Sequence, residues 1–130
     1  DYANRSVVIS GDSLVTPKII ETSDGADLVL HDAMALQLVQ AAENALRSAG
    51  ITRVAAVLHD IQDYHATTSD LQRLADEADI GLLALYHLVP APRNPMAVAA
   101  FSRGIPEGAI ITEDAMVISL PSNSEDIDID

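Results

Sequence analysis

Cysteine is absent from the 130 residues, which excludes disulfides and any thiolate metal site. A metal here must be held by imidazole and carboxylate, a donor set that suits zinc, manganese or iron. Aromatic residues are scarce at 3%, so the core has to be built from Ala, Leu, Ile and Val. Basic residues are equally few, 7 against 20 acidic ones, for a net charge of −13. Such a surface repels phosphate backbones and disfavours nucleic acid as a partner of this chain. No apolar run approaches the roughly 20 residues a membrane span needs, and no basic stretch followed by an apolar one suggests a leader. Asp1–Arg5 run straight into a strand and read as the interior of something longer.

What is present suffices for one compact domain, with hydrophobic residues at 48%, six Gly and six Pro. The chain is organised around Ser6-Val7-Val8-Ile9-Ser10-Gly11-Asp12-Ser13. A buried strand around Val8 ends in a Gly turn that presents Asp12 at the sheet's C-terminal edge, where α/β proteins build sites. Taken alone, Asp12 reads first as a turn cap, and only the polar signals downstream change that. A second strand is expected over 26–31, then helices over 35–49 and 53–63, the latter capped by Thr52 with Val54, Val57, Leu58 and Ile61 on one face. A third helix, capped by Thr67, Thr68 or Ser69, turns Leu71, Leu74 and Ala78 inward. A third strand covers 81–87, and Pro95 opens a helix to about Phe101. Residues 109–112 and 116–120 close the chain as two strands joined by the Glu113-Asp114 turn. Residues 1–121 thus form the domain, and 122–130 an acidic, solvated tail. Strands separated by helices predict an α/β layer with helices on at least one face.

Three polar signals fall at strand ends, namely Asp12, His31 with Asp32, and His87, and His65 precedes a helix. Parallel or neighbouring strands would bring them to one edge. Imidazole and carboxylate together can hold zinc, and an imidazole near neutral pH can move protons. Each residue also has a plainer role. His31 reads as a brace for the sheet edge, and His59, beside Asp60 and Asp63, as structural or solvated. Asp32 is balanced between orienting an imidazole and capping the next helix.

The order Ser-Gly-Asp-Ser, Ala-Asp-Leu-Val-Leu-His-Asp-Ala, Tyr-His-Ala-Thr-Thr and Leu-Tyr-His-Leu-Val-Pro resembles the C-terminal half of a metallo-β-lactamase-fold hydrolase. The similar branch holds ribonuclease Z, arylsulfatases and phosphodiesterase- or lactonase-like enzymes. The resemblance implies the C-terminal half of a four-layer αββα sandwich. It also implies Asp12 and His87 as metal ligands, Asp12 bridging two zinc ions (manganese or iron in their place). His65 is then the proton donor to the leaving group and Asp32 its orienting partner. The substrate implied is a small ester, lactone, sulfate ester or phosphodiester.

Two positions depart from the pattern. Asp stands for Glu at 32, a shorter arm expected to weaken its hold on a neighbour, and Ala stands for Ser at 66. The family's His-x-His-x-Asp-His motif is missing altogether, and Asp12 with His87 falls short of the roughly four ligands zinc takes. An enzyme therefore needs a complementary N-terminal half. The alternative is a metal-free interaction module that pairs with itself or with another protein.

Overall fold

The computed structural model of the chain describes residues 1–99 and 101–130. Four strands form one sheet in the order β1-β2-β3-β4, all parallel: β1 (Val7–Ile9), β2 (Leu28–Met34), β3 (Leu82–Val89) and β4 (Ile110–Ile111). Parallel neighbours need crossovers, and helices supply them. They are α1 (Pro17–Ser23), α2 (Leu36–Ser48), α3 (Thr52–Asp60) with a 3-10 turn at Ile61–Asp63, α4 (Thr68–Glu77) and α5 (Pro95–Ser102). Among the described residues no helix is long and apolar enough to cross a membrane.

Strand alternation sorts the sheet into two faces. Val29, Leu83 and Leu85 point into a core shared with Ala66, Leu71, Leu74, Ala78 and Phe101, with Val8 and Ile111 packed against it. The expected inward positions of α4 are therefore occupied. Its start is a full capping box: the Thr67 hydroxyl accepts from the Asp70 amide at 3.2 Å, and the Thr67 amide donates to Asp70 Oδ2 at 3.1 Å. The opposite face carries Val7 and Ile9, in register with Leu28 and Leu30. Val7 and Ile9 are exposed, Ile9 at 67%. Leu28, Leu30, Met116 and Ile118 line a shallow depression of about 310 Å³ on this same side.

Several elements differ from the sequence expectation. Strand β2 runs on to Met34, because Met34 pairs with Val89 and its amide donates to the Ala66 carbonyl at 2.7 Å. His31 and Asp32 therefore lie within the strand rather than at its end. Thr52 is the first helical residue of α3, with Ile51 in the cap position and no side-chain cap. Val54 and Val57 are exposed, and it is Ala55 that is buried. Helix α3 packs mainly on α2, where Glu43 accepts from Arg47 and Gln62 at 2.9 Å, so the hairpin is held partly by polar contacts.

The last two expected strands do not pair with each other. β4 joins the main sheet, while β5 (Ile118–Ser119) pairs antiparallel with β6 (Asp128–Ile129) in the acidic tail. Buried Arg5 anchors that tail through Nη1, which donates to the carbonyls of Pro121, Ser124 and Asp126 at 3.1, 2.5 and 2.9 Å.

Candidate metal and proton-transfer site

The C-terminal ends of the parallel strands meet the segment between α3 and α4. Asp12 follows Gly11, whose φ of +65° turns the chain sharply out of β1. His65 lies just before the Thr67 cap of α4. His87 sits inside β3, at a bulge. Asp32 pairs with Tyr86 and Ala33 with Leu88, which leaves His87 as the extra residue, at a φ of +44°. A bulge redirects the side chain of its extra residue, and here it takes His87 out of the strand's alternation. That conformation is costly for a residue with a Cβ.

These turns bring three ligand atoms, one each from Asp12, His65 and His87, within 4.8 Å of one another. His87 Nδ1 is 3.7 Å from Asp12 Oδ1. The His65 and His87 rings stack at 5.2 Å and 16°, and Tyr64 tilts against His65 at 4.9 Å. His65 is 3% exposed, whereas the side chains of Asp12 and His87 are about half exposed, at 49% and 47%. One wall of the site is thus fixed, and the other two side chains have room to move.

Asp32 fixes that wall. Its buried carboxylate accepts from His65 Nδ1 at 2.8 Å and the Ala66 amide at 3.2 Å through Oδ2, and from the Ser13 amide at 3.2 Å through Oδ1. Burial pushes its pKa up, but hydrogen bonds from His31, His65 and Ser13 outweigh that and hold it below the ordinary 3.8. A carboxylate only accepts, so His65 carries its hydrogen on Nδ1 and leaves Nε2 for a ligand or a proton.

Asp32 therefore does not cap α2, whose start has no side-chain cap. Nor does its short arm weaken the contact, since Asp in place of Glu still reaches the imidazole at hydrogen-bond distance. Ala66 in place of Ser is accommodated in the same way. This residue works through its backbone, with its amide on Asp32 and its carbonyl on Met34.

The other two histidines stand apart from the cluster. His31 is buried, with Nδ1 2.9 Å from the Asp32 carbonyl and 3.1 Å from Oδ1. It braces the strand, and its Nε2 has no partner among the described residues. His59 is exposed on α3, with Nδ1 3.3 Å from Glu43 Oε1. Sequence reasoning did not find the Ser13 amide, the Ala66 amide or the Tyr64 ring. Backbone donors leave no trace in residue type, and Tyr64 had only its place beside His65 to mark it.

The donor set fits a metal in part. Two imidazoles and one carboxylate suit zinc or a neighbouring transition ion, but three ligands are one short of a closed tetrahedral site.

No family model matches the chain. It is similar to ribonuclease Z of Methanosarcina acetivorans, 26% identical over 123 residues, covering 93% of this chain and 34% of that protein. It is 30% identical over 127 residues to ribonuclease Z of Natronomonas pharaonis, covering 93% and 34% respectively. With ribonuclease Z of Mycobacterium avium the identity is 30% over 91 residues, covering 70% of this chain and 29% of that one. Among solved structures it superposes on the metallo-β-lactamase fold protein YhfI from Bacillus subtilis. The TM-score there is 0.52 at 20% identity, over 87% of this chain and 39% of YhfI. The chain spans about a third of the length of the curated relatives it matches.

Proposed function

We propose that this chain, part of a metallo-β-lactamase-fold hydrolase related to ribonuclease Z, contributes one half of a metal-dependent hydrolytic site. The remaining ligands come from a complementary N-terminal half, as a separate, cleaved or covalently continuous segment. The observation that carries this reading is the fixed His65–Asp32 pair facing Asp12 and His87 across less than 5 Å.

Asp12 and His87 would hold the metal, zinc or a neighbouring transition ion, together with ligands from the other half. The metal, when bound, supplies an activated water and neutralises charge developing on the oxygen under attack. His65 presents Nε2 toward the leaving group and gives it a proton. Asp32 holds the Nδ1 hydrogen, fixing the ring's tautomer and angle. Hydrogen bonds hold the Asp32 carboxyl ionised below the ordinary carboxylate range, so a negative charge faces the ring. The protected location of His65 keeps bulk water from competing for that proton.

The bond cleaved is an ester, lactone, sulfate ester or phosphodiester. The charge of −13 favours a small substrate over a polyanionic one, although the relatives are named as ribonucleases. The exposed Val7 and Ile9 of β1, beside the depression lined by Leu28, Leu30, Met116 and Ile118, suit a second sheet packed against them, which is where the complementary half would sit. The same face, with β1 at the sheet edge, is what a non-catalytic interaction module would use.

The test is Asp12→Ala in the assembled protein. Loss of bound metal and of turnover is expected, and full retention of both would refute the assignment. A particle that carries no metal and hydrolyses none of these ester classes would favour the module.

A further inference from the structure

Across this site the imidazole nearest to Asp12 and His87 is also the one held most firmly. We propose that this chain by itself takes one divalent transition-metal ion, with His65 as the third ligand beside Asp12 and His87. This rests on the reading above only for the second role of His65, as the acid of the assembled site. In the lone chain that acid would be occupied as a ligand. Assembly, by supplying ligands from the other half, would release it.

Geometry is the first support. Donors about 2.1 Å from a tetrahedral ion stand roughly 3.4 Å apart. Asp12 Oδ1 and His87 Nδ1 are already 3.7 Å apart, and one ligand atom from each of the three residues lies within 4.8 Å of the others. Asp12 and His87 are half exposed and have room to adjust, and the His87 ring, now stacked on His65 at 16°, has to turn so that its nitrogen points at the shared ion.

Orientation is the second. Metal-bound imidazoles commonly donate their other N–H to a carboxylate, which fixes the ring and raises its basicity. His65 has that arrangement already, with Nδ1 2.8 Å from Asp32 Oδ2 and Nε2 uncommitted. Asp32 cannot be the ligand in its place, since both its oxygens are buried and engaged. His31 does not join the cluster that Asp12, His65 and His87 form.

Chemistry then selects the ion. Two nitrogens and one oxygen favour zinc, cobalt or nickel over calcium or magnesium, which take oxygen cages. The charge of −13 raises the local concentration of any cation. One coordination position stays open, so the lone chain should bind more weakly than a closed four-ligand site.

The test titrates the 130-residue chain with Co²⁺, followed by its visible ligand-field absorption, and with Zn²⁺ by calorimetry. One ion per chain is expected, weakened at least tenfold by His65→Ala, Asp12→Ala or His87→Ala. Asp32→Asn should weaken it roughly tenfold or more. Far-UV circular dichroism checks that each variant is folded. As a readout that needs no variant, the imidazole ¹⁵N shifts of the wild-type chain should show Zn²⁺ on His65 Nε2. Absence of binding, a His65 Nε2 shift unmoved by Zn²⁺, or a folded His65→Ala that binds like wild type would each overturn the inference. None of those results touches turnover by the assembled protein, which the Asp12→Ala test reads separately.

Discussion

One carboxylate just before strand β2 and one inside it do similar structural work with different partners. Before it, Asp27 accepts from the Ser6 amide at 2.6 Å and pairs with Arg5 Nε at 2.9 Å. Near its end, Asp32 accepts from the Ser13 and Ala66 amides and from His65. Each ties β2 to the β1 segment, and each has its pKa drawn down, Asp27 first by the Ser6 amide and Asp32 against the pull of burial. The partner makes the difference. Arg5 offers only donors, so its end of the sheet is a clasp that also gathers the tail. His65 keeps a second nitrogen free, so its end can carry a ligand or a proton. A carboxylate that positions an imidazole leaves chemistry available, and one that pairs with a guanidinium does not.

The comparison breaks hardest at Asp32. Asp32→Ala strands a buried imidazole N–H, the buried Ala66 amide and the half-buried Ser13 amide, and should cost about 3 kcal/mol in urea unfolding. Arg5→Ala should cost about 2 kcal/mol for the lost carbonyl contacts and free the tail to proteolysis, with ion binding unchanged. If Arg5→Ala weakened ion binding as Asp32→Ala does, the two ends would not be separable.

Acid sharpens the same contrast. The folded pKa of Asp32 lies below its unfolded 3.8, so its stabilisation is complete above that value and is lost as pH falls through the folded one. Asp27 shifts in the same direction. Asp32→Asn should therefore flatten the acid limb of a stability–pH profile below about pH 4. Asp27→Asn should flatten it less, its carboxylate being less enclosed. The smallest effect is expected from His87→Gly, which relieves the positive φ and should return about 1 kcal/mol of stability while ion binding falls.

Much of this arrangement is legible in residue order. The alternation of apolar strands and amphipathic helices indicates an α/β layer, and the short motifs mark which turns carry polar residues. Three things are not legible, each for a physical reason. The bulge at His87 adds one residue to a strand whose apolar run reads the same with or without it. The contacts of Asp32 come largely from backbone amides, which every residue type shares. The apolar stripe Val54–Val57 has helical spacing, so it reads as core although it faces solvent. The tail shows only charge in the sequence, and it is Arg5, far away along the chain, that draws its backbone in.

The most direct test of the central claim is native mass spectrometry of the purified particle, with elemental analysis of the same sample. The account predicts this chain together with a histidine-bearing complementary half and about two transition-metal ions in the assembled site. A metal-free homo-oligomer of this chain alone would contradict it.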